Sequence, residues 1–309
     1  MSQLPKIIVI LGPTASGKTD LGIFLAKKFN GEVVNFDSRQ IYTEMNIATA
    51  KPEGRWENVE GKRIFLVEGV PHHLMDFVSP LNLYSLSDFK RDAQAAIDDI
   101  LLRGKLPILV GGTGLYFWSV IDNLDLAETP PNLELRAELE KKPLAEQVKL
   151  LQEKDPESAV LIDLKNPRRV LRALEVVLST GKSFFACRGK SNPLYNVLQL
   201  GVTLEKGELN TKIDQRVDEQ IKMGLLEETK QLSQKYSWDL PSMSSIGYRQ
   251  IGYFLKGEMN LEEAMEILKR DTRRYAKRQM TWFKRDQRIV WLKKPWTENA
   301  TVEIEKFLS

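Results

Sequence analysis

The chain has 309 residues, of which 42% are hydrophobic and 28% charged, and its formal net charge is +3. This composition is typical of a globular protein with one large domain that can carry a smaller one, and no apolar run approaches the roughly 20 residues that would cross a bilayer. The single cysteine, Cys187, excludes an internal disulfide and a cysteine-based metal site, and residues 1–6 lack the regions of a signal peptide, so we expect a cytoplasmic protein without a membrane partner.

The first motif is a glycine-rich loop, GPTASGKT, at residues 12–19. It follows an apolar run at 6–11 and precedes a helical pattern, which is the strand, loop and helix context of a phosphate-binding P-loop. The backbone amides and the helix start would hold a di- or triphosphate, and the Thr19 hydroxyl would ligate Mg²⁺. The residues expected to bind the diphosphate are Gly12, Thr14, Ala15, Ser16, Gly17, Lys18 and Thr19.

A second buried strand, at 31–36, ends at Asp37. Because the carboxyl ends of neighbouring parallel strands line one crevice, Asp37 is expected at the same sheet edge as Lys18. Residues 37–52 have no clean period and are predicted to form a long functional loop. A further strand is predicted at 62–67.

Two adjacent histidines, His72 and His73, are the only histidines of the chain. They could suggest a metal site, but neither has a partner at helical spacing. We favour a packed or hydrogen-bonded loop over metal binding there.

A helical stripe at 85–103 is followed by a strand at 106–110 and by a second glycine-rich turn at 111–116. A tight turn would explain this second motif on its own. Beside the P-loop, it predicts a second wall of the same site.

Residues 122–196 contain short charged helical patterns, and strand-like runs return only after them. We therefore predict an α/β protein with a parallel sheet flanked by helices, in which residues 1–121 and 197–309 form the core and 122–196 an inserted helical domain. Arg168 and Arg169 lie near the start of a helix, where acidic residues are more usual. A solvated basic face and a phosphate-binding face both remain open.

The last third of the chain is predicted to be largely helical. A helix at 212–221 carries Arg216 beside its apolar face, and a long helix at 261–285 is rich in arginine and lysine with interleaved aromatic residues. Such a stretch in an otherwise balanced protein favours a polyanionic partner, nucleic acid above all. A final strand is predicted at 288–292, with a short helix behind it.

Eight blocks of this sequence, taken in order, closely resemble the tRNA dimethylallyltransferase family of bacterial type. They lie at 12–19, 37–42, 49–52, 70–74, 111–116, 166–170, 245–249 and 272–283. The resemblance covers nearly the whole chain. It implies a P-loop NTPase-like core with an inserted all-helical domain, Mg²⁺ as cofactor, and two substrates, dimethylallyl diphosphate and the anticodon stem-loop of tRNA.

The resemblance also implies roles for single residues. The P-loop would hold the diphosphate leaving group, Asp37 would accept a proton from the exocyclic amine of adenine, Thr113 would contact the target nucleotide, and Arg216 would add a second cation. The residues implied to contact tRNA are Asp37, Ser38, Arg39, Gln40, Thr113, Asn166, Pro167, Arg168, Arg169, Val170, Gly247, Tyr248, Arg249, Arg273, Arg274, Lys277 and Arg278.

Three other functions are compatible with the P-loop. A small-molecule kinase would use the same loop for ATP, but the basic helix would then have no purpose. An isopentenyltransferase acting on free adenylate would share the core, but the inserted helices favour a larger RNA substrate. An RNA-binding protein without catalysis is disfavoured by Asp37 and Thr113 beside the phosphate cradle. Nothing in the sequence requires more than a monomer.

Overall fold

The computed structural model describes residues 4–59, 61–126, 132–185, 189 and 191–309. Cys187 lies outside the described residues. The chain divides into two compact units, Met1–Phe117 with Leu194–Ser309, and Trp118–Pro193. The second unit occupies the region predicted as an insertion at 122–196.

The described strands all belong to one sheet with the order β3-β4-β5-β2-β6-β1-β7-β8. They are β1 (Lys6–Leu11), β2 (Gly31–Phe36), β3 (Arg55–Val59), β4 (Lys62–Val67), β5 (Val70–His73), β6 (Leu106–Gly111), β7 (Asn196–Gly201) and β8 (Ile289–Trp291). Along the sheet, each neighbouring pair from β5 through β2, β6, β1 and β7 to β8 is parallel. The pairs β3–β4 and β4–β5 are antiparallel. The predicted α/β class is confirmed, and the sheet is mixed rather than purely parallel.

The described helices are α1 (Lys18–Lys28), α2 (Leu86–Leu102), α3 (Gly114–Ile121), α4 (Leu133–Glu140), α5 (Leu144–Lys154), α6 (Pro156–Leu161), α7 (Pro167–Thr180), α8 (Lys206–Lys222), α9 (Leu225–Lys235), α10 (Tyr248–Leu255), α11 (Leu261–Phe283) and α12 (Trp296–Leu308). None of them is both long and apolar enough to span a membrane.

The central strands are apolar on both faces, so each face of the sheet is covered by helices. On one face, a buried cluster joins residues of β1, β6 and β7 to residues of α1 and α12. On the other, the Phe36 ring stacks on Phe117 at 4.7 Å between centroids and meets the edge of Phe89 at 4.8 Å. This packing fixes the carboxyl ends of β1, β2 and β6 side by side.

The segment 70–73, which we expected to be a loop, forms the short strand β5. His72 pairs with Val33 of β2 on one side and with Phe65 of β4 on the other. A four-residue strand that contains a proline has no readable period, and long-range pairing alone defines it.

The second unit has its own buried cluster, formed by residues of α4, α5, α6 and α7. Glu175 is fully buried within it and accepts hydrogen bonds from Arg136 at 2.8 Å and Arg172 at 2.5 Å. These two arginines lower the pKa of the Glu175 carboxyl, although burial itself raises it. The ionised carboxylate therefore ties α4 to α7.

Candidate active site

The P-loop connects β1 to α1 and needs glycine at two positions. A Cβ atom at Gly12 would lie 2.1 Å from the backbone oxygen of Val202. Gly17 caps α1 with a φ of 84°, in the left-handed region that glycine adopts without strain. The chain can therefore pass close to β7 and still enter the helix with its first amides free.

Two side chains inside the P-loop have unsatisfied or perturbed polar groups. Ser16 is fully buried, and its hydroxyl has no hydrogen-bond partner among the described residues. The pKa of Lys18 is lowered to about 8, chiefly by burial; the charge of Asp37 opposes this shift and the charge of Arg216 adds to it. The Lys18 ammonium donates to the Pro13 carbonyl at 2.8 Å. A bound phosphate group would supply the missing partner and the missing negative charge.

Asp37 directly follows β2, and its carboxylate is held by the turn that it begins. Asp37 Oδ1 accepts from the Arg39 amide at 2.8 Å, and the Asp37 amide donates to Asn35 Oδ1 at 3.2 Å. Within the described part of the chain, no hydrogen bond to Asp37 Oδ2 is present. One carboxylate oxygen is thus fixed, and the other is available to a substrate.

Thr113 stands at the end of β6, next to the turn that starts with Asp37. The Ser38 amide donates to Thr113 Oγ1 at 3.2 Å, and the Thr113 amide donates to the Phe36 carbonyl at 3.2 Å. Tyr275 of α11 lies beside Thr113 and shares a cavity with it. Burial raises the pKa of Tyr275, and the charge of Asp37 acts in the same direction.

Two adjoining cavities open between these groups. The smaller, of about 80 Å³, is lined by Lys18, Thr19 and polar groups of the strand ends. The larger, of about 400 Å³, is lined by Thr113, Tyr275 and Arg278 together with apolar residues of α8 and α11. The residues common to both are Thr14, Asp37, Thr49, Ala50 and Arg216. The carboxylate after β2 therefore stands where the smaller cavity meets the larger one.

Arg216 of α8 supplies the second cation. Its guanidinium lies 3.5 Å from Thr14 Oγ1, and burial lowers the pKa of Arg216 from its usual value. Lys18 and Arg216 both line the small cavity, which gives it a positive potential suited to a diphosphate.

Within the described residues, no three carboxylate, histidine or cysteine side chains are grouped as a metal site. Thr19 lines the small cavity, where its hydroxyl would ligate Mg²⁺ beside bound phosphates, as the Ser or Thr of a P-loop does.

The two histidines have structural partners. His72 Nδ1 lies 2.9 Å from the Val70 carbonyl, and burial lowers the pKa of His72 to about 4. His73 Nε2 lies 2.7 Å from the buried Glu32 carboxylate. These contacts agree with the expected packed and hydrogen-bonded segment.

The basic residues of α11 divide into two groups. Arg274, Lys277 and Arg278 are exposed, and Arg278 lies over the Tyr275 ring at 5.8 Å. Arg273 instead pairs with Asp214 of α8. The first group forms an exposed basic face beside the larger cavity, in which Arg274 lies 3.8 Å from the Asp271 carboxylate.

Among the other residues expected to contact tRNA, several are exposed or line the cavities. Ser38 and Arg39 line the larger cavity, and Gln40 lines the smaller one while donating to the Thr49 and Ala50 carbonyls. Arg249 is exposed and lies 3.2 Å from Asp271.

The expected tRNA contacts at the start of α7 lie in the second unit. Asn166 caps the helix by accepting from the Arg169 amide at 3.3 Å, with Pro167 in its first turn. Pro167, Arg168 and Arg169 are exposed there.

Three expected tRNA contacts are buried instead. Val170 and Tyr248 are both 0% exposed, and the Tyr248 hydroxyl donates to Glu228 at 2.7 Å. Gly247, with a φ of 104°, packs so closely on Ala48 that a Cβ would lie 2.6 Å from the Ala48 side chain. The side chains of Val170 and Tyr248 pack in the core and present no surface to RNA in this structure.

Lys51 has a structural role that we did not predict, although its Thr-Ala-Lys-Pro block was a signal. The Lys51 side chain is 3% exposed and pairs with Asp76 at 2.6 Å, and Asp76 also accepts from the Trp56 indole at 2.9 Å. Lys51 therefore holds the loop 37–52 against β3 and β5, which keeps Thr49 and Ala50 at the cavity wall.

The chain is similar to known proteins over its whole length. Residues 40–286 match the IPP transferase family, and residues 5–73 match the isopentenyl transferase family. A tRNA dimethylallyltransferase of Thermomicrobium roseum is 42% identical over 316 residues, covering 100% of this chain and 93% of the relative. One from Carboxydothermus hydrogenoformans is 44% identical over 295 residues, covering 93% and 91%.

Solved structures of tRNA-modifying transferases are similar to this chain over nearly its whole length. A tRNA isopentenylpyrophosphate transferase from Bacillus halodurans superposes with a TM-score of 0.70 at 38% identity, covering 98% of this chain and 95% of its own. A eukaryotic dimethylallyltransferase acting on tRNA superposes with a TM-score of 0.79 at 31% identity, covering 97% and 77%.

Proposed function

The chain belongs to the tRNA dimethylallyltransferase family, and we propose that it transfers a dimethylallyl group from dimethylallyl diphosphate to the exocyclic amine of the adenosine 3′ of the anticodon. One observation carries this proposal. Asp37 lies at the junction of a cationic pocket and a cavity of about 400 Å³, so a base and a leaving-group site face the same space. The arrangement supports a transfer between two substrates bound in adjoining cavities.

In the proposed reaction, the amine nitrogen attacks the allylic carbon and the bond from that carbon to the diphosphate oxygen breaks. Asp37 Oδ2 takes the proton that leaves the nitrogen, and Oδ1 stays bound to the Arg39 amide. Positioning contributes much of the rate because the amine lone pair is delocalised into the purine ring and is a poor nucleophile. A base of this kind contributes roughly 10²- to 10⁴-fold.

The diphosphate leaves with its negative charge, and the P-loop would stabilise that charge. The free amides at the start of α1, the Ser16 hydroxyl, Lys18 and Arg216 would all act on the leaving group. Mg²⁺, held by Thr19 and the diphosphate, would neutralise part of the charge in the same place.

The target base must leave its stack to reach Asp37, which costs on the order of a few kcal/mol. Thr113 and Ser38 line the wall that would receive the base. The exposed cations of α11, and Arg168 and Arg169 of α7, would bind backbone phosphates of the anticodon stem-loop and so offset that cost. All of these groups belong to one chain, so the proposed enzyme needs no residue from a second copy to act on tRNA.

The test is transfer of label. Purified protein is incubated with Mg²⁺, labelled dimethylallyl diphosphate and unmodified tRNA, with AMP and ATP as competing acceptors. We expect label only on the tRNA, at the adenosine that follows the anticodon. Label on AMP alone would overturn the tRNA assignment, and label on no acceptor would overturn the prenyl transfer.

A further inference from the structure

Gln279 lies on the buried face of α11 and bridges the two glycine-rich turns of the active site. Its side-chain oxygen accepts from the Thr14 amide of the P-loop at 2.8 Å. Its side-chain nitrogen donates to the Gly112 carbonyl, after β6, at 2.8 Å. The residue is 5% exposed and lines the small cavity.

The fit between the bridge and the second turn is tight. A Cβ atom at position 112 would lie 2.2 Å from Gln279 Nε2, so only glycine allows the amide of Gln279 to reach the carbonyl. The second glycine-rich turn is thus shaped by this contact as well as by the backbone bend.

Thr14 links the bridge to the second cation of the site. Its amide is bound by Gln279, and its hydroxyl lies 3.5 Å from the Arg216 guanidinium. One helical turn before Gln279, Tyr275 lies beside Thr113. Helix α11 therefore touches the P-loop with one residue and the wall of the larger cavity with another.

We propose that Gln279 is a positioning residue that holds the P-loop and the turn 111–113 at a fixed separation, so that the diphosphate and the target base are aligned across Asp37. This inference rests on the proposed function. The residue does not touch reacting atoms; it acts through the Thr14 and Gly112 peptides. Losing it leaves a buried amide and a buried carbonyl without partners, which loosens the cradle.

The first test uses Gln279→Met, which keeps the length of the side chain and removes both hydrogen bonds. Binding of inorganic pyrophosphate is measured by calorimetry, and kcat and KM are measured for each substrate. We expect the Kd for pyrophosphate and the KM for dimethylallyl diphosphate to rise roughly ten-fold, as the loss of a buried hydrogen bond predicts. The KM for tRNA should stay unchanged, while kcat falls.

The second test uses Gln279→Glu. An ionised carboxylate can still accept from the Thr14 amide, but it cannot donate to Gly112 and it repels a diphosphate. We expect its pyrophosphate affinity, relative to wild type, to recover as the pH falls, because protonation removes the charge that repels the diphosphate and lets the carboxyl donate to Gly112 again. The ratio of the Gln279→Glu and wild-type affinities can be measured even if Gln279→Met fails to fold.

Gln147→Met is the matched control. Gln147 is also a buried glutamine whose amide donates to two carbonyls, those of Leu139 and Lys142, but it lies in the second unit. Its pyrophosphate affinity should equal that of wild type. Equal losses in both variants, a Gln279→Met variant that binds as wild type does, or a pH-independent Gln279→Glu ratio would each overturn the inference. Absence of pyrophosphate binding by the wild-type protein would instead overturn the proposed function.

Discussion

The two carboxylate oxygens of Asp37 have different environments. Oδ1 accepts from the Arg39 amide, and Oδ2 is open to the cavities. Replacing Asp37 by Asn keeps an oxygen that accepts from that amide and removes the base. We expect turnover with tRNA to fall by roughly 10²- to 10⁴-fold while the Kd for tRNA is unchanged. Single-turnover kinetics and equilibrium tRNA binding measure the two effects. Near-normal turnover would mean that another group removes the proton.

Lys18 gives the diphosphate site a pH dependence. With a pKa of about 8 in the free protein, Lys18 loses its charge above that pH, while a bound diphosphate favours the charged form. Binding therefore takes up a proton above pH 8, so pyrophosphate affinity falls as the pH rises, by at most about ten-fold per pH unit. Calorimetry of pyrophosphate binding between pH 7 and 9.5 measures this loss.

Lys18→Arg is the control for that titration, because a guanidinium stays charged over this range. The titration of pyrophosphate itself is common to both proteins, so the ratio of their affinities isolates Lys18. A ratio that does not change with pH would show that Lys18 keeps its proton throughout.

Single residues also show where reasoning from sequence succeeds and fails. The P-loop and Asp37 were predictable because each directly follows an apolar strand. The local sequence therefore shows that each lies at the carboxyl edge of the sheet. Gln279, which lies 265 residues from Thr14 in sequence, was not, because its role exists only through tertiary contact. Tyr248 was named as a tRNA contact because it lies within a family block, but its side chain is buried; a block does not distinguish residues that bind a substrate from those that pack beneath it.

At the scale of elements, α11 presents different basic residues to the protein and to solvent. Lys269 pairs with Asp218 at 2.8 Å and Arg273 pairs with Asp214, both on α8, while Arg274 and Lys277 are exposed. Replacing Arg274 and Lys277 by Gln should weaken tRNA binding and reduce the slope of log Kd against log salt by about one for each phosphate that is no longer neutralised. Filter binding or fluorescence anisotropy over a salt series measures both.

Lys269→Gln separates this effect from general loss of charge. It also removes one positive charge from α11, but from a side chain that is 16% exposed and already paired. The slope of log Kd against log salt for Lys269→Gln should equal that of the wild-type protein. A slope reduced equally by Lys269→Gln would mean that net charge, and not the exposed face of α11, governs binding.

Elements differ in how far the sequence defines them. Helix α2 was predictable at both ends, because Ser85 and Asp88 form a capping box at its start and Gly104 follows its end. Strand β5 was not, since it is defined by pairing with β2 and β4. Local caps and periods specify long elements, and tertiary pairing specifies short ones.

At the scale of the whole molecule, the inserted unit has its own buried cluster and its own buried carboxylate, Glu175, while the site lies entirely on residues of the first unit. This separation matches the roles that we propose: the first unit contains the residues that react, and the second contributes cations that bind RNA. It also means that the stability of the first unit must be measured by a probe within it.

His72 makes that stability depend on pH. Its ring is 3% exposed between β2 and β4, and burial lowers its pKa to about 4 from 6.5, with His73 contributing in the same direction. Between these values the unfolded chain binds a proton that the folded chain does not, so stability is complete above pH 6.5 and is lost as the pH falls toward 4. Glu32, which accepts from His73, Arg103 and Lys105, has a pKa lowered by these partners and stays ionised in this window.

The expected loss between pH 7.5 and pH 5 is about 2 kcal/mol for this one residue. Hydrogen exchange of the backbone amides of β1, β2 and β6, measured over a urea series at each pH, gives the free energy of unfolding of the first unit. His72→Gln, which cannot be protonated, should unfold with a midpoint that changes much less over the same range. Parallel pH profiles for the two proteins would show that His72 titrates with the same pKa in the folded and unfolded chain, so that burial does not lower it.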